Sequence, residues 1–309
     1  MGAHPTPGSR VPPKPLRSRA ICSASTMAAP PVHAPVDPQP SVFPFGRPVV
    51  RRRPSAKSRR RVFVLGATPS ALCIAWWSPA RKSIKALPVD NEPAPFWNGS
   101  DERAQIDAWK RLVGFRTGEW GEVETAGEVN GKAGRWLDAE VLAPLGVTRD
   151  EVCLSTCVDT YLGDAAMAFA VNERYQPVAL ETGLPEARLP LAPPAGALVE
   201  LAVTAHRERL LRELSMVVPE LVVTLGNLPL RVMRGLADAT NTTRTKNARV
   251  GPRRLPADAT YGALHPLVLG TRTTQWLPLA APETGPPFDE VHERWKAAAD
   301  GLTWAAAGR

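Results

Sequence analysis

Apolar positions along the chain fall into short continuous runs that alternate with longer amphipathic stretches. "RVFVLG" (61–66) is an unbroken apolar run ending in glycine, the pattern of a strand covered on both faces. "ALCIAWW" and "SIKALPV", separated by "SPARK", predict a hairpin. "SDERAQIDAWKRLVGF" predicts a helix with Ser100 at the N-cap and Arg103 where a capping box would carry Glu. "GEWGEVETAGEVNGKAG" reads as an irregular glycine-rich loop. "GRWLDAEVLAPLG" predicts a second helix, with Leu137, Val141 and Leu145 on one stripe and Gly146 at the C-cap.

"EVCLSTCV" is the next expected strand, followed by helices over "LGDAAMAFAVNERY" and "GALVELAVTAHRERLLRELSMV". "PELVVTLGN" predicts a strand that feeds the helix "LPLRVMRGLAD". A polar stretch over residues 239–260 precedes a hairpin in "ALHPLVLGTRTTQWLPLAAP", turning at Gly270 and Thr271, and a closing helix "FDEVHERWKAAAD". Strands alternating with helices predict an α/β fold: a three-layer α/β/α domain over residues 61–300 with a largely parallel sheet. Residues 301–309 are left as a short C-terminal tail.

Charge separates the first residues from the rest. The chain carries a formal charge of +8, yet residues 1–61 hold 12 Lys or Arg and one acid, Asp37. The remainder has 26 basic and 29 acidic residues, so the basic character belongs to the N-terminal stretch and not to the domain. That stretch also has 13 of the 33 prolines and no apolar periodicity, which predicts a disordered tail over residues 1–60. Three readings of it compete: a nucleic-acid-binding arm, an organelle transit peptide, or sequence upstream of a later start such as Met27. No stretch is long and apolar enough to suggest a membrane span.

The four cysteines, Cys22, Cys73, Cys153 and Cys157, include no C-x-x-C pair. They read as reduced, small apolar residues, and neither a metal nor another cofactor is expected.

Chemistry is sought where strands end, because open parallel sheets bind ligands outside the carboxyl ends of their strands. Four such ends stand out: Gly66-Ala67-Thr68-Pro69-Ser70, Ser155-Thr156, Gly226-Asn227, and Ala281-Pro282 after "WLPLA". Taken in this order, the segments resemble the uracil-DNA glycosylase superfamily, nearest to its bacterial and archaeal iron-sulfur branch. "VFVLGATPS" resembles the first family motif. "GKAGRWLDAEVLAPLGVTRDEVCLSTCV" resembles the helix-and-strand segment that follows, and "PELVVTLGNLPLRVM" its strand-glycine-helix. "WLPLAAP" resembles the strand that delivers the second motif. The resemblance spans about residues 60–295. It implies a central four-stranded, largely parallel sheet, a pocket that holds a flipped base, and hydrolysis of the N-glycosidic bond.

The chain departs from the family at the reacting positions. Thr68 falls where the family carries a carboxylate or Asn, Thr156 falls on its base-reading Asn, and Ala281 falls on its anion-stabilising His. The cysteines of the iron-sulfur branch are missing. A neutral hydroxyl is no general base near neutral pH. Two segments offer replacements. His265-Pro266 is an intact His-Pro, placed at the start of the penultimate strand and read also as an ordinary hairpin-edge histidine. "PVDNEPAPFWNG" bunches Asp90, Asn91 and Glu92 beside Phe96 and Trp97. The resemblance implies that Phe96 stacks on the base, and Asp90 or Glu92 would then handle water. The same residues also read as a solvated, proline-bounded turn. Asp159 and Tyr161 lie just past Thr156, and Asp159 reads either as a ligand contact or as the cap of the next helix.

The function expected on this basis is base excision from DNA, in repair, by a monomer acting on single- or double-stranded DNA in the cytoplasm, associated with the nucleoid. The alternative is a catalytically impaired relative that binds nucleic acid or a nucleobase without excision. A third possibility, an α/β domain whose likeness stops at the fold, rests on the separation of fold from function.

Overall fold

The computed structural model describes residues 1–2, 40–51, 60–240, 251–282 and 284–299. The chain divides into two units, Met1–Gln39 and Pro40–Arg309. The second carries the fold.

Its centre is an α/β arrangement around a five-stranded, mostly parallel sheet with strand order β5-β1-β6-β8-β7. The strands are β1 (Val62–Gly66), β5 (Val152–Thr156), β6 (Leu221–Leu225), β7 (His265–Leu269) and β8 (Arg272–Leu279). β1 pairs in parallel with β5 on one side and β6 on the other, and β6 pairs in parallel with β8. The four strand segments read from the sequence are thus neighbours. The expectation of four strands needs one correction: β7 folds back antiparallel on β8 and adds a fifth strand at the edge. The hairpin at Gly270 makes this inevitable, because a two-residue turn can only join antiparallel neighbours.

Every residue of β1 and β6 is buried, as strands flanked on both sides and covered on both faces must be. Ser155 pairs with Leu65 and Thr156 with Gly66. Since side chains alternate along a strand, Ser155 and Gly66 face opposite sides of the sheet. On the Ser155 side lies α6 (Arg207–Val217), reached through Glu213, with α5 (Ala195–Thr204) packed on α7 (Asn227–Thr240). On the Gly66 side lie the loop at Phe96, α2 (Lys132–Leu137) and α8 (Phe288–Ala299). The stripe Leu137, Val141 and Leu145 is buried in this core, as its spacing predicts.

A second sheet, order β3-β2-β4, has a core of its own. β2 (Ala71–Trp77) and β3 (Ser83–Asn91) are the expected hairpin. β4 (Glu122–Thr125) lies inside the stretch read as an irregular loop and pairs antiparallel with β2. Its glycines hid a four-residue strand whose only buried side chain is Val123. Asn130, also in that stretch, is buried and bonds both the N–H and the C=O of Cys73, extending the edge of β2 with a side-chain amide.

The boundary of the expected tail also shifts. Residues 40–51 are packed against the fold, with Phe43 and Phe45 buried. Phe45 inserts among Trp76, Trp109, Phe115, Trp120 and Tyr175, with ring centroids 5.1–5.9 Å away. Its N–H donates to the Tyr175 hydroxyl. Two aromatic residues among many prolines give no periodic signal, so composition alone misplaces them.

Other local readings change at helix ends. α1 (Glu102–Val113) has Asp101, not Ser100, at its N-cap, and no side-chain cap. The Asp101 carboxylate instead accepts from Trp97 Nε1 and Gln105 Nε2. The long helix expected over 196–217 breaks into α5 and α6 at His206. α3 (Ala165–Phe169) is capped by Asp164, whose carboxylate accepts from Met167 N–H, so Asp159 is not the cap. No helix among the described residues is long and apolar enough to cross a membrane.

Candidate functional site at the carboxyl ends of the strands

Gly66 ends β1 directly beneath the ring of Phe96. A Cβ built on Gly66 would come within 2.5 Å of Phe96 Cζ, so only glycine allows the ring this close to the strand. The backbone of Phe96 has a φ of 54°, an uncommon conformation for a non-glycine residue. Its carbonyl accepts from Arg149 Nη2, and Arg149 is itself ion-paired to Asp138. Gly134 brings α2 close under the same loop: a side chain there would strike the carbonyl oxygens of Phe96 and Trp97. The half-buried aromatic ring is therefore held in place by its own main chain, a fixed platform at the end of the central strand.

The turn Gly66-Ala67-Thr68-Pro69-Ser70 meets the end of β3 through Glu92. Glu92 is 4% exposed, and its Oε1 accepts from Ser70 N–H at 3.0 Å, while its own N–H donates to the Ser70 carbonyl. Asp90 is bound to Arg47 at 2.9 Å and also accepts from Asn91 N–H. Of the two carboxylates expected to handle water, Glu92 is bonded to the turn at Ser70, whereas Asp90 lies on β3 opposite Leu72 and is bonded to Arg47 and Asn91. Arg47, which neutralises Asp90, comes from the segment misread as tail.

Thr156 stays at the end of β5, but its hydroxyl donates to the Val158 carbonyl at 2.7 Å. Gly226 and Ala281 meet: a Cβ on Gly226 would lie 3.3 Å from Ala281 Cβ, so the ends of β6 and β8 converge. Asn227 is turned to other work, its Oδ1 accepting from Leu255 N–H. Pro282 lines a cavity of about 260 Å³ together with Ala281, Trp136, Glu140, Phe288 and His292. A larger groove of about 510 Å³ lies at the other end of the sheet, by Pro219 and Gly270, and among the described residues its lining carries no acid or His.

No protein-family model matches this chain, and no curated protein sequence does. The reading of the site therefore rests on its geometry.

Sequence reasoning missed His292. It is buried on α8, stacked on Trp136 with ring centroids 5.5 Å apart. Its Nδ1 lies 2.6 Å from the Tyr261 hydroxyl, which already accepts from Ala280 N–H at 2.8 Å. The Tyr261 proton is then directed at His292 Nδ1, leaving Nε2–H to face the Glu140 carbonyl at 3.2 Å. Burial pushes the His292 pKa down, which favours this neutral form, and pushes the Tyr261 hydroxyl up to about 12. The histidine next to Ala281 thus comes from a helix 11 residues further along, and no motif at the strand end signals it.

A second polar network lies at the end of β5, on the α6 side. Arg209 donates to the carbonyls of Thr156 and Cys157 and to Glu213, and Glu213 accepts from the Ser155 hydroxyl. Asp159 sits between Arg209 and His206, at 3.8 and 3.7 Å. The network ties β5 to α6 and gives Asp159 charged neighbours in Arg209 and His206. Tyr161 is buried against Phe43. His265 lies on the edge strand β7, paired in register with Trp276, three residues before the carboxyl end of β8.

The cysteines do not suit a cluster. Cys73 belongs to β2 in the second sheet, whereas Cys153 and Cys157 lie on and just after β5, and burial pushes the Cys73 and Cys153 thiols up to about 12. No group of three or more metal-ligating side chains occurs among the described residues. Cys22 lies outside the described residues.

Proposed function

We propose that this chain is a uracil-DNA glycosylase-like protein that holds a nucleobase over the Gly66–Phe96 platform and excises it slowly or not at all. The observation that carries this reading is the fixed aromatic ring of Phe96 at the carboxyl end of the central strand. Stacking on an aromatic ring suits any base and is worth about 1–3 kcal/mol per base. The adjacent strands β5-β1-β6-β8, with their ends meeting in one region, support the fold-level likeness.

Fast hydrolysis requires a base for water and a donor for the leaving anion. Thr68 and Ala281 supply neither, and Asp90 and Glu92 are already engaged. One observation favours the second reading, active excision in DNA repair: Glu92 places a carboxylate against the turn itself. Single-stranded and mismatched duplex oligonucleotides carrying uracil, hypoxanthine or xanthine separate the two. Binding without rapid strand cleavage after abasic-site workup is the expected result, with Gly66→Val abolishing binding and Thr68→Ala leaving it intact. Brisk cleavage lost in Glu92→Gln would establish excision instead. The basic residues before the domain would add salt-dependent affinity for DNA, since each phosphate contact releases counterions.

A further inference from the structure

We infer that the groove at the amino ends of the parallel strands is a second ligand site, and that it takes an aliphatic carboxylate: an unbranched apolar chain ending in a carboxyl group. The inference goes beyond the base-binding reading, because this groove lies at the opposite end of the sheet from Gly66 and Phe96.

The groove follows from the sheet and the helices on one side of it. Side chains alternate along β8, so Arg272 and Thr274 share a face with Trp276, which is paired with Val222. Val222 lies opposite Phe63, and Phe63 opposite Cys153, two residues from Ser155, so all of them face the α6 side. There α6 supplies Leu211 and Leu214, the turn after it supplies Val218 and Pro219, and the β7–β8 hairpin supplies Leu269. The volume of about 510 Å³ falls within the roughly 300–1,000 Å³ of small-molecule pockets. Among the described residues the apolar lining is aliphatic throughout, with no ring on which a planar ligand would stack.

Val218 is a second, separate observation. It ends α6 in the left-handed conformation, with a φ of 51°, where glycine is the usual residue. Its side chain is nonetheless exposed, at 54%. A β-branched residue there strains the backbone while burying little apolar surface in the fold. What it does is extend the aliphatic wall of the groove. Strain kept at such a position points to use by a ligand rather than to packing.

Charge decides the head group. Arg272 is the one charged side chain among the described lining residues, and its guanidinium has no ion pair or hydrogen bond among the described residues. Glu213 on α6 and Glu220 beside Pro219 are ion-paired elsewhere, to Arg209 and Arg61. The hydroxyls of Thr240 and Thr274 already donate to main-chain carbonyls. An aliphatic wall with one unpaired guanidinium complements a chain with one carboxylate, which the planar fork of Arg binds in bidentate fashion.

The test is titration calorimetry on the full chain with octanoate, decanoate and octan-1-ol. Octanoate should bind saturably and at least about tenfold more tightly than octan-1-ol, the scale of one charge-assisted hydrogen bond. Decanoate should bind more tightly still, by up to about fourfold per added methylene. Arg272→Gln should weaken octanoate about tenfold and leave octan-1-ol unchanged. Ser215→Trp, at an exposed position of α6 on the groove wall, should block both ligands. Thermal unfolding checks that each variant folds, and if Ser215→Trp does not, the exposed Arg272→Gln decides alone. The inference is overturned if octanoate shows no saturable binding at millimolar concentration, if acid and alcohol bind equally, or if Arg272→Gln leaves octanoate unaffected. A dimer in sedimentation that Ser215→Trp dissociates would give the groove to a second copy of this chain and overturn it too. Gly66→Val should not change octanoate binding, so the base-binding reading stands or falls separately.

Discussion

Phe96 and Gly66 form a matched pair: the ring rests on the strand at a distance that leaves no room for a Cβ on Gly66. Gly66→Ala should therefore destabilise the domain by roughly 1–3 kcal/mol, the usual cost of overpacking. In a Phe96→Ala background the same change should cost much less. A double-mutant cycle by denaturant unfolding measures this coupling. Independent, additive effects would separate the two residues.

Glu92 is expected to matter for stability through Ser70. Glu92→Ala leaves the Ser70 N–H without its acceptor and should cost about 1–3 kcal/mol. Glu92→Gln keeps an acceptor oxygen and should recover much of that loss in thermal unfolding. Equal destabilisation by both would assign the effect to the charge.

Phe45→Ala should destabilise the second core by about 3–5 kcal/mol, as large aromatic truncations do. The ring contacts five aromatic side chains, and the loss should be seen as a lowered Tm and a changed near-ultraviolet signal. A variant with unchanged Tm would return residues 40–51 to the tail.

Stability should fall in mild acid. Burial lowers the pKa of His206, His265 and His292 below the ordinary 6.5, although Asp159 opposes the shift at His206 and Glu140 opposes it at His292. The unfolded chain then binds more protons than the folded one as pH drops through 6.5, so stability is full above that pH and decreases below it. His292→Gln should flatten part of the slope in unfolding measured between neutral and mildly acidic pH. A slope of opposite sign would contradict the buried, neutral state.

Cys73, Cys153 and Cys157 should resist alkylation in the native protein and react after denaturation, because burial disfavours their thiolates. Mass spectrometry after labelling at pH 8 reads this out, and rapid native labelling of any of the three would contradict it.

The sequence by itself determined the order and type of the main elements. Continuous apolar runs mark β1 and β6 because strands covered on both faces have no polar side, and glycine and the Gly270-Thr271 turn mark where the chain reverses. It also located the turn at Gly66 and the aromatic at Phe96. Only the tertiary structure brought those two together, because their contact depends on α2 packing under the loop at Gly134 and on Arg149 holding the Phe96 carbonyl. The partners of Asp90 and Glu92, the histidine beside Ala281 and the insertion of Phe45 were likewise decided there. Each joins segments with no shared periodicity, and a local pattern carries no information about which distant side chain will fill the remaining space or satisfy a buried charge.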